Sequence, residues 1–243
     1  MIPKLLHYVW ISGDPLPELI HLCRLSWEKW LPDYEWILWD KKKIEGIEHR
    51  WLSQTLETNS YAFATDYIRI YALYNFGGIY LDSDVELTGS LDPFLQHQFF
   101  IGSEYNDDLE PAVFGSVAAH PLLKELLEYY HQRNFIKDNK QYDRRPLPLI
   151  FNEKASKFGF RPNGRLQSLT EGIQVYPGEY FSPKNLYFKD IKISPETVAI
   201  HHLISSWVKK GWKYKIKILL HQLLYKIGGK WLHSKVVTSI RNH

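Results

Sequence analysis

"YAFATDYIRIYALYNFGGIYLDSDVEL", residues 61–87, is the stretch whose reading decides the fold. Its first sixteen residues predict a helix that is largely buried, with Ala64, Tyr67, Ile68, Ile70, Tyr71 and Leu73 supplying the apolar surface. Asn59 and Ser60 supply cap chemistry in front of it, and Gly77-Gly78 end it. The strand "IYL" follows at once and delivers Asp82 and Asp84 at its carboxyl end, with Glu86 just beyond. Open α/β sheets bind ligands outside the carboxyl ends of their strands. Clustered carboxylates are costly to desolvate unless something positive sits among them. Hard divalent ions prefer carboxylate oxygens and keep positions open for phosphate, so Asp82-Ser83-Asp84 fits Mn²⁺ or Mg²⁺. A DxD tripeptide alone is weak, because a solvated turn has the same sequence. Upstream, Ala62, Asp66 and Arg69 fall at i, i+4 and i+7, on one helix face. As an exposed pair Asp66 and Arg69 contribute only a few tenths of a kcal/mol. Their apolar and aromatic neighbours argue against that exposed reading.

Outward from this core, "KLLHYVW" (4–10) reads as a first strand, and residues 17–30 as a helix. That helix presents Leu19, Leu22, Cys23, Ser26, Trp27 and Trp30 at helical spacing. "LPDYEWILWD" gives a turn and a second strand at 34–39, a β-α-β opening that predicts an α/β fold. Beyond Pro93, residues 98–104 and 112–117 predict strands, and 120–131 a helix that opens on His120-Pro121. A polar loop at 138–148, a helix at 149–158, loops with short strands to 195 and a last strand "TVAI" at 197–200 follow.

The chain has 243 residues, 44% of them hydrophobic, enough for one sizeable domain with an appendage. Its single cysteine, Cys23, excludes an intramolecular disulfide and fits a reducing compartment. In its apolar helix it reads as a small buried hydrophobe rather than a nucleophile. The start of the chain lacks the apolar core of a signal peptide, and no run reaches about 18 apolar residues, so a cytoplasmic protein is expected. The net charge of +3 hides an asymmetry. From Thr197 onward there are nine basic residues and no acidic one, so the body carries 21 basic against 27 acidic residues. In the tail, Trp212, Ile216, Leu219, Leu223 and Ile227 share one helical face flanked by lysines. A basic amphipathic helix over 209–241 predicts docking on an anionic membrane surface. Tyr214, Ile218 and Tyr225 fall on the far side, which also fits a terminal helix packed on the core. No nucleic-acid motif accompanies the basic stretch, and no nucleic-acid partner is expected.

"AFATDYIRIYALYNFGGIYLDSDVEL" resembles the "A..SD..R...L...GG.Y.D.D" core of the DxD sugar-binding glycosyltransferases of family 32. That family includes bacterial capsular-polysaccharide transferases and yeast Golgi mannosyltransferases. The clostridial toxin glucosyltransferases are more distant relatives. "IPKLLHYVW" looks like the family's opening, "LPDYEWILWD" is similar to its "P.YE...W", and "AIHHLISSW" (199–207) resembles its closing "H....SW". His7-Tyr8 replaces the expected His-Gln, and Thr65 stands where Ser is commoner. The resemblance spans residues 2–207 and implies a GT-A fold, a Rossmann-like mixed sheet flanked by helices. The basic helical extension would then occupy 208–243. It implies retaining, metal-dependent transfer of a hexose from a nucleotide sugar, with Mn²⁺ or Mg²⁺ as cofactor. By the same resemblance, Asp82 and Asp84 match the DxD, Asp84 being the direct metal ligand. Asp66 and Arg69 match the pair that holds the donor sugar, with Ala62 and Ser83 beside them. Trp10 matches an aromatic that stacks on the base, although a core Trp at a strand end fits too. Tyr80 lines the donor pocket or packs the core. His201 matches a third metal ligand, with His202 as the rival. Ser206 and Trp207 match the motif that covers the diphosphate.

The expected donor is UDP-galactose, followed by UDP-glucose and UDP-N-acetylglucosamine. The expected acceptor is a saccharide, lipid-linked as in capsule or O-antigen assembly, which suits a peripheral protein on the inner face of the plasma membrane. Same-face attack by the acceptor hydroxyl, assisted by the leaving phosphate, would give retention. Acceptor choice is assigned to 105–165, where "EYNDDLE" (104–110) reads either as part of that site or as an acidic surface loop. "IYLDSDVELT" also fits the DxDxT nucleophile motif of phosphatases, but no distal acidic pair accompanies it. A non-catalytic sugar- or membrane-binding module explains the aromatics and the tail, but not Asp66, Arg69 and the DxD together.

Overall fold

The computed structural model describes residues 1–104, 107–184, 191, 193–204, 219–220, 222–223 and 226–227. Strand β1 (Leu5–Val9), helix α1 (Glu18–Trp30) and strand β2 (Glu35–Trp39) form the expected β-α-β opening, with the two strands parallel. Two helices not anticipated from sequence, α2 (Lys41–Ile44) and α3 (Arg50–Glu57), lead into α4 (Tyr61–Phe76). Then come β3 (Gly78–Leu81), β4 (Val85–Leu87), β5 (Phe99–Ser103), β6 (Leu109–Ser116), α5 (Pro121–His131) and α6 (Leu147–Ser156). Strands β7 (Gln167–Ser168), β8 (Ile173–Tyr176) and β9 (Ala199–His201) complete the described elements.

Among the described residues seven strands form a mixed sheet in the order β2-β1-β3-β6-β5-β8-β7, and β4 pairs with β9 in a small second sheet. One face of the large sheet is covered by α3, α4, α5 and α6 around Tyr67, Ile68, Phe114, Leu126 and Phe151. The other face is covered by α1 and the β4–β9 ribbon around Leu6, Trp27, Leu81, Leu87 and Phe100. β3 lies between β1 and β6, so the residues that leave its carboxyl end emerge at the middle of the sheet.

The α4–β3 junction shows why two glycines stand there. Gly77 closes the helix at φ +65°, and Gly78 continues at φ +107°. A Cβ on Gly78 would lie 2.5 Å from the Leu5 carbonyl oxygen, so the close packing of β3 on β1 needs a residue without one. At the start of α4 the expectation fails in part. Ser60 occupies the N-cap position, but its side chain caps no N–H, and Asn59 sits at φ +52°. α5 is capped by His120, whose Nδ1 accepts the Leu122 N–H at 3.2 Å.

On α1, Cys23 and Trp27 are fully buried as expected, while Leu22 is 52% exposed and Ile20 takes its place inside. Burial raises the Cys23 thiol to about 12, so it is an inert core residue. Among the described residues no helix is long and apolar enough to cross a membrane. The boundary at 207 and most of the 209–241 stretch lie outside the described residues. Of the tail's apolar positions, Leu219, Leu220, Leu223 and Ile227 are described and are exposed.

Candidate active site

The site is built where Arg69 of α4 meets Asp82, the residue that leaves the carboxyl end of β3. Arg69 projects from α4 and is 7% exposed. Its guanidinium reaches Asp82 through two nitrogens, at 3.1 Å and 3.3 Å, and Asp66 at 3.3 Å. It also donates to the Pro111 carbonyl at 2.8 Å and, through Nε, to the Thr65 carbonyl at 3.5 Å. Every nitrogen of Arg69 is therefore engaged within the protein, and the Asp66 and Asp82 oxygens are what the knot offers to a ligand. The guanidinium also lies 4.7 Å from the centre of the Tyr80 ring.

Tyr80 is 1% exposed, and its hydroxyl donates to Asp82 Oδ1 at 2.8 Å. It supports the aspartate from below and does not line an open pocket. Ser83 donates its hydroxyl to the Val9 carbonyl at 3.0 Å, tying the DxD turn to the end of β1. Trp10 follows Val9 directly, half-buried, with its indole N–H on the Asp14 carbonyl at 2.8 Å. Ala62 lies one turn before Asp66 on α4, half-buried.

Asp84 belongs to the other half of the site. The β4–β9 pairing sets Val85 opposite His201. That register brings His201 Nε2 to 3.4 Å from Asp84 Oδ1, while the Ile204 N–H donates to Asp84 Oδ2 at 2.9 Å. His202 turns the other way and bonds Glu86 through Nε2 at 2.9 Å. Of the two adjacent histidines, His201 is the one that faces the aspartates. Ligand atoms of Asp82, Asp84 and His201 all lie within 4.8 Å of one another, a set that can hold a metal ion. Ser206 and Trp207 lie outside the described residues.

The electrostatics separate the carboxylates. Burial pushes Asp66 up to about 7 against the pull of Arg69. Burial likewise raises Asp82, again opposed by Arg69. Burial also acts on Asp84, but His201 and the Ile204 N–H outweigh it and bring the carboxyl down to about 2. For His201, burial disfavours the charged ring, and Asp84 and Glu110 reverse this, raising it well above its ordinary value. Asp84 is thus the more firmly held anion, and burial sets Asp66 apart from it.

One residue of the site escaped the reading of the sequence. Glu110 is the second residue of β6, with its side chain 11% exposed, and its Oε1 lies 3.5 Å from His201 Nδ1. "EYNDDLE" reads from sequence as part of the acceptor site or as a surface loop, yet its last residue is inside the sheet, opposite Gly102. Extending the strand "AVFGSV" backwards through Pro111 places a carboxylate in an otherwise apolar strand, and that was the available signal.

Comparison with known proteins bears on the fold and on the DXD segment. Residues 17–101 match the family described as glycosyltransferase sugar-binding region containing DXD motif. The mixed sheet flanked by helices is that of the GT-A glycosyltransferase fold. A solved structure titled PaToxG glycosyltransferase superposes with a TM-score of 0.50 at 18% identity, covering 64% of this chain and 68% of that one. Among curated relatives, inositol phosphoceramide mannosyltransferase 3 of Schizosaccharomyces pombe is 28% identical over 130 residues, 52% of this chain and 36% of that protein. Mannosyl phosphorylinositol ceramide synthase SUR1 of Saccharomyces cerevisiae is 34% identical over 143 residues, 56% of this chain and 37% of that protein. The chain thus spans little more than a third of the length of these two relatives.

Proposed function

We propose that this chain is a metal-dependent glycosyltransferase that moves a hexose from a nucleotide sugar to a saccharide or glycolipid hydroxyl. The observation that carries the reading is the meeting of two half-sites at the end of β3: Arg69 with Asp66 and Asp82, and His201 with Asp84. The match over residues 17–101 supports it. Asp82, Asp84 and His201 would hold the ion, and an imidazole in the set favours Mn²⁺ over Mg²⁺, which is bound mainly through oxygens. When bound, such an ion offsets charge on the departing nucleoside diphosphate. The chain's own part is positional. Arg69 and Tyr80 lock Asp82, and Asp66 offers its carboxylate to the hydroxyls of the donor sugar. Trp10, at the end of β1, offers an aromatic face toward the nucleotide, beside Ser83. In this proposal the acceptor hydroxyl attacks on the face the leaving group departs from, and configuration is retained.

The names of the two fungal relatives move the leading donor from UDP-galactose to a mannosyl nucleotide, and the leading acceptor to an inositol-phosphate glycolipid. The basic residues of 209–241 suit such an acceptor, and we place the protein peripherally on an anionic membrane face. A panel of UDP- and GDP-sugars, assayed with and without the glycolipid, tests this. The expected result is one preferred donor and a product with the donor's anomeric configuration by NMR. An inverted product would overturn the same-face mechanism. Absence of both turnover and binding for every donor would overturn the transferase reading.

A further inference from the structure

We infer that Glu110 is the positioning residue of His201, accepting its Nδ1–H and so directing Nε2 to the metal. This rests on the metal reading given above. His201 Nδ1 is buried and makes no hydrogen bond, an uncommon state for an imidazole nitrogen. The group facing it is the Glu110 carboxylate, at 3.5 Å, a gap that a small rotation of either side chain closes. The opposite nitrogen, Nε2, faces Asp84 Oδ1 at 3.4 Å. The ring stands between the two carboxylates, so Glu110 is on the far side from any ion shared by Asp82, Asp84 and Nε2. It is placed as an outer partner, not as a fourth ligand. Metal-bound histidines characteristically donate their second N–H to a carboxylate, which fixes tautomer and ring orientation.

Glu110 is itself held in place. Its strand pairs with β5 at Gly102, and the next residue gives its carbonyl to Arg69. The preceding residue donates its N–H to Asn152 of α6 at 2.9 Å, and Asn152 also donates to Asp108 at 2.7 Å. The chain at 108–111 therefore couples α6, the Arg69 knot and His201, which is what a residue that aims a ligand requires.

Mn²⁺ titration by calorimetry on wild type, Glu110→Ala, Glu110→Gln, Glu110→Asp and His201→Ala tests the inference. Glu110→Ala is expected to weaken Mn²⁺ binding about ten- to a hundredfold. Glu110→Gln keeps an acceptor without the charge and should hold affinity within roughly threefold of wild type, well short of that loss. Glu110→Asp keeps the charge but withdraws it by one methylene and should weaken binding like alanine, which serves if the alanine variant does not fold. Nitrogen modulation in the pulsed EPR spectrum of bound Mn²⁺ should be present in wild type and Glu110→Gln, and absent in His201→Ala. Loss of affinity in His201→Ala but not in folded Glu110→Ala or Glu110→Asp would overturn the role of Glu110 alone. Equal losses in Glu110→Gln and Glu110→Ala would reduce it to charge and overturn the hydrogen bond. Wild-type affinity in His201→Ala would overturn the metal reading, and this inference with it.

Discussion

Arg69 is the residue on which the interior of the site turns, because it is buried and satisfies two partly exposed aspartates at once. Removing one partner of a fully buried ionic network costs about 3–5 kcal/mol, and the partial exposure of the two aspartates brings this to about 2–3 kcal/mol here. Arg69→Met is therefore expected to lower unfolding free energy by about that much, and urea denaturation measures it. A loss below about 1 kcal/mol would show that the knot is wetter than its geometry indicates. His7 makes a second prediction at this scale. It is fully buried, its Nδ1 takes the Trp39 indole N–H at 3.1 Å, and its Nε2 donates to the Gly77 carbonyl at 2.9 Å. That arrangement needs the neutral ring, and burial lowers its pKa from 6.5 to about 4. Between these values the unfolded chain binds the extra proton, so stability falls as pH drops. The stability His7 contributes is complete above its unfolded pKa and lost as pH falls toward 4, a total of roughly 3 kcal/mol. The stability advantage of wild type over His7→Gln should shrink by that amount between pH 7 and pH 4. A difference independent of pH would contradict it. Asp66, Arg69, Asp82 and Asp84 could be read from sequence because helix spacing and strand position bind them locally. Glu110 could not, because its relation to His201 arises only from the folding together of β6 and β9.

At the scale of elements, the α4–β3 junction and the β4–β9 ribbon carry the site. Gly78→Ala puts a Cβ against the Leu5 carbonyl at φ +107° and is expected to destabilise by roughly 2 kcal/mol or more. Gly46 has open space where a Cβ would go, and Gly46→Ala should be near neutral. Thermal unfolding of the two variants side by side checks the pair, and equal shifts would contradict the packing argument. The paired glycines were readable as a helix stop, and the strand after them followed. Helices α2 and α3 were not readable. Lys41–Ile44 is one turn of mostly charged residues, and Arg50–Glu57 has no side-chain cap to announce it. His201 was readable as a candidate from the closing motif, but its choice over His202 required the register that sets it opposite Val85. Strand alternation then sends the two rings to opposite sides.

At the scale of the whole molecule, an acidic body carries a basic C-terminal stretch, and a mixed sheet brings distant segments to one point. Residues 62–69 and 82–84, Glu110 and His201 converge there from α4, the end of β3, β6 and β9. Replacing Lys209, Lys210, Lys213, Lys215 and Lys217 by Gln should weaken binding to anionic vesicles by roughly a thousandfold or more, at about 1 kcal/mol per lysine. Unchanged binding by vesicle sedimentation would remove the membrane from the proposal. The fold class was legible from the β-α-β opening and the helix–GG–strand core. The donor was not, because sugar identity depends on a few hydrogen bonds that no spacing rule encodes. The central claim is that Asp84 helps hold a metal that makes transfer possible. It is tested most directly by nucleoside diphosphate release from the preferred donor, with and without Mn²⁺, by wild type and Asp84→Ala. Release that needs Mn²⁺ and falls at least a hundredfold in the variant is the predicted result, the loss of about 3 kcal/mol of transition-state stabilisation. Turnover by Asp84→Ala at the wild-type rate, or wild-type turnover indifferent to chelation, would contradict it.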